Sequence, residues 1–213
     1  MIPFTQSKLI EMKDLSPKER FQWLVSSVLP RPIAWVSTRS LAGVHNIAPF
    51  SFYSACSGNP PCVSVAVTYR QDGLPKDTLR NAEETKEFVV NLSSEGYETA
   101  INDSSGEFPP EVDEFQRCGL KPLPSKLVQA PRVAESPLSM ECIWKASLPL
   151  GDRQPGSTVL IIGEVVAIHV DPKMLSPESG MPDPSLLKPL SRLGGAFWAK
   201  MTQPFELKRP RDN

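Results

Sequence analysis

Hydrophobic and polar positions follow a helical period near the start of the chain and a two-residue period through most of the rest. Ser16, Pro17 and Glu19 have the spacing of a capping box with proline at the first helical position. Phe21, Leu24, Val25 and Val28 follow at i, i+3, i+4, i+7, the stripe of a short amphipathic helix. Leu29-Pro30-Arg31-Pro32 ends it, because a residue before proline is pushed out of the helical region. Residues 33–38, 50–56, 62–69 and 88–92 then read as strands bounded by Gly, Pro or Asn. One helix intervenes, capped by Asp77 or Thr78 and running to about Lys86 with Leu79 and Ala82 inward. Residues 113–118, stopped by Gly119, predict another of one or two turns.

The strongest strand signal spans residues 138–170. Met140, Cys142, Trp144, Ala146 and Leu148 alternate with Glu141, Ile143, Lys145 and Ser147, which predicts one half-buried strand. After a turn at residues 151–156, residues 158–170 return with β-branched side chains on both faces, as expected for a strand central to a barrel. So long a hairpin argues for a closed or rolled sheet. Residues 171–190 form a proline-punctuated excursion with short helical pieces, and residues 197–200 add a last strand. The expected fold is mainly β with short flanking helices.

A chain of 213 residues suits one domain, with its core at about residues 21–200. Its 23 prolines, about twice the usual share, favour short elements and ordered corners. With 23 Lys and Arg against 24 Asp and Glu, nothing suggests the basic surface that nucleic acid requires. The longest apolar stretch, residues 159–170, is interrupted by Gly163, Glu164 and His169, well short of the ~20 residues of a membrane span. Met1-Ile2-Pro3-Phe4 lacks the basic and apolar regions of a signal peptide, so a cytoplasmic location is expected. Cys56, Cys62, Cys118 and Cys142 contain no C-x-x-C pair and are read as buried small hydrophobes. With only His45 and His169, no zinc ligand set is assembled, and no metal is expected.

Three polar clusters fall at strand ends or turns, where a fold exposes backbone donors and short side chains. In residues 31–38, two prolines hold Arg31 extended while Ser37 and Thr38 offer hydroxyls. In residues 46–52, Ala48 and Ser51 are small enough for close approach. Lys76-Asp77-Thr78, followed by Asn81, brings a cation, a hydroxyl and the amides of a helix N-terminus together, a combination suited to phosphate.

In order and spacing these segments resemble the flavin reductase-like family. The motifs are R-P-I-A-x-V-S-T from Arg31, N-x-A-P-F-S-F from Asn46, K-D-T-x-x-N from Lys76, G-E-V-x-x-x-H-V-D from Gly163 and a late R-x-G-G from Arg192. Pro60-Pro61 and residues 88–92 fall in step with them, so the resemblance covers about residues 21–200. It implies an FMN-binding split barrel, usually a homodimer with one flavin per subunit near the subunit interface. On that resemblance Arg31, Trp35, Ser37 and Thr38 lie beside the flavin, with Asn46, Ala48, Pro49, Phe50 and Ser51 along the ring and its ribityl-phosphate arm. Lys76, Asp77, Thr78 and Asn81 hold or support the phosphate. His169 and Arg192 are candidates to face the substrate.

The expected activity is therefore hydride acceptance from NADH or NADPH by flavin, with transfer to free flavin, a metal complex or a partner protein. The alternatives are a flavoredoxin-like carrier reduced by a protein partner, and a ligand-binding module that has lost the chemistry. A hydrolase is disfavoured because no G-x-S-x-G elbow is present. Phe197-Trp198 and the proline-rich segment from Met181 depart from the family pattern, and residues 41–44 form a loop that could close over the flavin. Without a G-x-G-x-x-G element, the choice between NADH and NADPH is not written in the sequence.

Overall fold

The computed structural model describes residues 5–209; the expectation drawn from Met1 to Phe4 lies outside them. In chain order the elements are α1 (Pro17–Ser27), β1 (Arg31–Pro32), β2 (Ala34–Arg39), β3 (His45–Phe50), β4 (Tyr53–Gly58), β5 (Pro61–Thr68), α2 (Asp77–Thr85) and β6 (Glu87–Leu92). Then follow α3 (Glu98–Asp103), α4 (Glu114–Arg117), β7 (Pro122–Leu123), β8 (Arg132–Val133), β9 (Leu138–Leu150), β10 (Thr158–Val170), α5 (Pro184–Leu187), β11 (Leu190–Arg192) and β12 (Trp198–Lys200). None of the described helices is long and apolar enough to cross a membrane.

Seven antiparallel strands bond in the order β3-β2-β6-β9-β10-β5-β4. The two strands at the ends of that order, β3 and β4, are consecutive in the chain and separated only by Ser51 and Phe52. The sheet must therefore roll until its ends meet at this corner, where the Ala66 amide donates to the Phe52 carbonyl at 2.8 Å. The interior of the roll is packed by Val36, Val63, Val65, Val67, Phe88, Val90, Cys142, Val159 and Ile161. A second core, built on Ile33, Trp35, Ile47, Ile101, Phe115 and Leu190, fills the outer face of β2 and β3 beneath α3 and α4. A small sheet, β1-β11-β12, stands beside the corner and sets Arg31 opposite Arg192.

The long hairpin β9-β10 and its central position match the expectation, as do the helix cap at Ser16 and the inward Leu79 and Ala82. Other expectations need correction. The strand expected over residues 50–56 is broken at the corner, because the chain leaves β2 there and begins pairing with β5. On α1 only Val25 is buried: Phe21, 57% exposed, opens beside Phe52 onto the cleft described below, while Leu24 and the C-cap Val28 are 46% and 53% exposed because no element among the described residues covers them. Glu141, expected on the polar face of its strand, is fully buried. Of the four cysteines, Cys62 and Cys142 are buried, Cys118 is half-buried and Cys56 is exposed on β4. Residues 41–44 make a tight hairpin turn, closed by the Gly43 amide on the Ser40 carbonyl at 2.9 Å, and none of them lines the cleft described below.

Gly163 illustrates how tightly the roll is packed. It lies at an irregularity in the β9-β10 register, and a β-carbon there would come within 2.3 Å of the Phe88 ring and 3.1 Å of Cys142. The ring is itself buried in the core and has no space to retreat. Gly163→Ala should therefore destabilise the fold by about 1–3 kcal/mol, the usual cost of overpacking. A lowered urea midpoint with an unchanged m-value is the expected result, and an unchanged midpoint would refute it.

Candidate functional site

The barrel corner, β1-β11 and the start of α2 enclose one continuous cleft. Its middle is a cavity of about 430 Å³ walled by Phe21, Phe50 and Phe52, with Arg31, Lys76 and Arg192 at its margins. Through Pro49, Phe50 and Lys76 it joins a narrow cavity of about 70 Å³ at the α2 N-terminus. Through Pro49, Ser51 and Arg192 it joins another of about 210 Å³ beside Trp198. The shape is a slot suited to a flat ring system, with a small polar recess at one end.

Arg31 organises the slot from behind. It is 5% exposed, and its guanidinium donates to the carbonyls of Val25, Val28 (3.0 Å) and Leu193 (2.9 Å) and to Ser51 Oγ (3.3 Å). One side chain thus ties the C-terminal turn of α1, the β11-β12 turn and the barrel corner together. Burial pulls its pKa below the usual arginine value, and the facing Arg192 adds to this. Gly194 supports the same junction: a β-carbon there would meet Ser26 Oγ at 2.6 Å, so glycine lets α1 sit against the turn. Arg192 donates to the Gly195 carbonyl at 2.8 Å and stacks over Trp198, leaving its charge in the cleft without a carboxylate partner among the described residues.

The recess has a different chemistry from the one expected. Lys76 occupies the N-cap position of α2, and no side chain caps the helix, so the first-turn amides are open to an anion. Asp77 is turned aside to pair with Arg80. The Thr78 hydroxyl donates to Asn46 Oδ1 at 2.8 Å, as does the Thr38 hydroxyl at 3.1 Å, and Asn81 Nδ2 donates to Thr38 Oγ1 at 3.0 Å. Asn46 Nδ2 in turn donates to Glu114 at 2.6 Å. Thr38, Asn46, Thr78 and Asn81 thus form a buried brace that fixes α2 against β2 and β3.

Of the residues singled out in the sequence, Arg31, Asn46, Ala48, Pro49, Phe50, Ser51, Lys76, Asp77, Thr78 and Arg192 line the cleft. Trp35 does not: its side chain is 1% exposed in the second core, and its indole N–H donates to Ser104 at 2.9 Å. Thr38 and Asn81 lie one layer behind the wall, joined to it through Asn46, whereas Ser37 is buried away from the cleft, its hydroxyl donating to the Pro131 carbonyl and accepting from Asn91. Arg70, Phe108 and Glu114 belong to the cleft and were not identified from sequence, and Phe52, which ends the 46–52 cluster but was given no role there, lines it too. Arg70 and residues 105–108 meet only through the fold, where Arg70 reaches the Phe108 carbonyl at 3.4 Å.

His169 lies elsewhere, on a larger open cavity of about 750 Å³ lined also by Glu95, Glu135, Asp171, Arg132 and Lys188. Its acids outnumber its two permanent cations, so it is the poorer host for a phosphate despite its size. The His169 Nε2 is 2.5 Å from Glu141 Oε1. The buried Glu141 carboxylate also accepts the amides of Lys126 (2.7 Å), Leu127 (2.6 Å) and Val128 (3.1 Å), pinning that loop over the barrel.

Residues 25–187 match the family described as Flavin reductase like domain. The chain is 42% identical over 198 residues to an uncharacterized protein of Halalkalibacterium halodurans, covering 92% of this chain and 93% of that one. Nitrilotriacetate monooxygenase component B from Bacillus cereus superposes with a TM-score of 0.90 at 36% identity, over 96% of this chain and 100% of the other. The 2-nitrobenzoate 2-nitroreductase NbaA of Pseudomonas fluorescens gives 0.85 at 27% identity, over 95% and 96%. The chain belongs to the flavin reductase-like family, a split-barrel class of flavin-related oxidoreductases.

Glu141 makes a pH prediction. Burial alone would raise its pKa, but the Lys126 amide, His169 and the Leu127 amide outweigh that and hold it below the ordinary value of 4.5. An acid with a depressed folded pKa contributes stability that is present above its unfolded value and lost as pH falls through the folded one. Glu141→Gln should cost about 2–3 kcal/mol at neutral pH, the scale of hydrogen bonds to a charged group, and less under strong acid. Urea titrations at several pH values check this; an equal loss at all of them would show that the charge is not what matters.

Proposed function

We propose that the protein binds FMN in this cleft and passes electrons from NADH or NADPH to free flavin or another small-molecule or protein acceptor. The observation that carries the reading is the joining of an uncapped helix N-terminus and Lys76 to an aromatic slot in a chain of this family. The donor set fits a phosphomonoester: a cation without a carboxylate partner among the described residues, and open amides on the positive end of a helix. FMN supplies the redox chemistry when bound, accepting a hydride and giving up electrons.

The chain's own contribution is to bind, orient and limit access. Lys76 and the first-turn amides of α2 hold the phosphate, while the Asn46 brace keeps α2 from shifting. Pro49, Phe50 and Phe52 offer apolar surface to the ring. Arg31, bonded to three carbonyls and Ser51, positions Ser51 and α1. Arg192, opposite Arg31 and free of carboxylates among the described residues, presents positive charge to an incoming anionic substrate. We further propose that the protein works as a cytoplasmic homodimer. The uncovered apolar side of α1, with Trp23, Leu24, Val28 and Leu29, supports a partner subunit beside the cleft.

Anaerobic addition of NADH or NADPH to the FMN-loaded protein should bleach the visible flavin bands. Bands that persist with both donors would reject the nicotinamide-linked activity and favour a carrier reduced by a protein. Lys76→Met should weaken FMN binding about tenfold, from loss of one charge-assisted hydrogen bond. Riboflavin, which lacks the phosphate, should bind both proteins equally, and an equal loss for both ligands would remove Lys76 from the phosphate site.

A further inference from the structure

The recess that receives the phosphate in this reading also contains a carboxyl group. Glu114 lines the same cavity of about 70 Å³ as Lys76 and Thr78, and it is 5% exposed. Both protein donors that reach it, Asn46 Nδ2 at 2.6 Å and the Ile47 amide at 2.7 Å, end on Oε2. Its Oε1 accepts no hydrogen bond among the described residues, and none of their cations lies within ion-pair distance of it. An ionised carboxylate here would share a very small space with a dianion.

The surrounding charges do not remove that conflict. From α2 come Asp77, paired with Arg80, and at its cap Lys76, which has no carboxylate partner among the described residues; Arg70 is 3.2 Å from Asp72. From β3, His45 faces Asp113 at 3.5 Å, and in α4 itself Arg117 stacks over Phe108. Glu107 approaches along residues 105–108, and Cys118 and Asp103 lie behind. Burial pushes the Glu114 carboxyl up to about 7; the Ile47 amide, Asn46 and Lys76 oppose this, while Asp77 adds to it.

We propose that Glu114 recognises the flavin phosphate as a neutral carboxylic acid, donating its Oε1 proton to a phosphate oxygen, so that FMN binding takes up a proton. The inference rests on the FMN reading and deepens it. The Thr78 hydroxyl expected to serve the phosphate is committed to Asn46, and the acid supplies a donor in the same recess. The proton comes from solvent to Oε1 on binding and returns on release, with no other bond changed. A protonated carboxyl used as a donor needs an environment that disfavours its charge, and burial beside an anion provides one.

The linkage has a definite sign. Ionisation of free Glu114 must be reversed for binding, so FMN affinity falls as pH rises above about 7, by up to tenfold per pH unit for one linked proton. The phosphate's own second ionisation, at ~6, is nearly complete in that range.

The test is calorimetric titration of the full chain with FMN at about pH 7.5, in buffers of differing ionisation enthalpy. The expected result is uptake of more than about half a proton per FMN and none with riboflavin, since only FMN carries the charge that forces protonation. Glu114→Gln, which keeps the acceptor and offers an amide donor, should bind FMN without proton uptake and with a flat pH dependence above 7. FMN binding without uptake by the native protein overturns the inference and leaves the cofactor assignment standing. Uptake that persists in Glu114→Gln, or that appears with riboflavin, assigns the proton elsewhere and also overturns it. Should the variant not fold, the native proton count with FMN and riboflavin decides. Absence of FMN binding by the folded native protein removes both the proposed function and this inference.

Discussion

Closure of the barrel at Ser51 and Phe52 is the constraint from which the cleft follows. A seven-stranded sheet whose end strands are joined by two residues cannot stay open, and the corner it makes cannot be filled by its own ladder. Backbone pairing changes partner there, from β2 to β5, and the side chains on either side of the change diverge. The space left is the aromatic slot. Arg31 makes the opening permanent, because its buried guanidinium is satisfied only while α1, the β11-β12 turn and Ser51 keep their places.

The polar residues of the family motifs divide into those that face the cleft and those that hold it in shape. Asn46 is central to the second group: its amide oxygen accepts two threonine hydroxyls and its amide nitrogen donates to Glu114. Asn46 is satisfied in this way, and although the Asn81 Oδ1 at the end of the network has no partner among the described residues, the bonds give a stiff contact that fixes the helix whose N-terminus forms the recess. The hydroxyls of Thr38 and Thr78 act through that stiffness.

Two buried carboxyls show how donor geometry sets charge. Glu141 gathers three backbone amides and His169 and is held below the ordinary carboxylate range. Glu114 gathers two donors, both on one oxygen, beside Asp77, and is pushed up to about 7. Burial acts in the same direction on both. What differs is the balance of desolvation, charged neighbours and the hydrogen bonds that replace the lost water, which gives one carboxyl a structural role and leaves the other able to exchange a proton near neutrality.

Local chemistry determined much of this protein from sequence alone. The capping box at Ser16, the extended run of β9, the β-branched run of β10 and the inward face of α2 are set by neighbours a few residues away, and each is found where its pattern puts it, although the faces of β9 do not alternate as expected. The ordered motifs also gave the family and, at Arg31, Asn46, Pro49, Phe50 and Lys76, residues of the cleft. Only the tertiary structure decided which of those side chains reach the surface of the site. Trp35 and Phe50 sit on the adjacent strands β2 and β3, but alternation sends Trp35 into the second core while Phe50 meets the slot. The uncovered side of α1 and the burial of Glu141 and Glu114 were equally invisible to periodicity, because each depends on a segment distant in the chain that does or does not arrive to cover it.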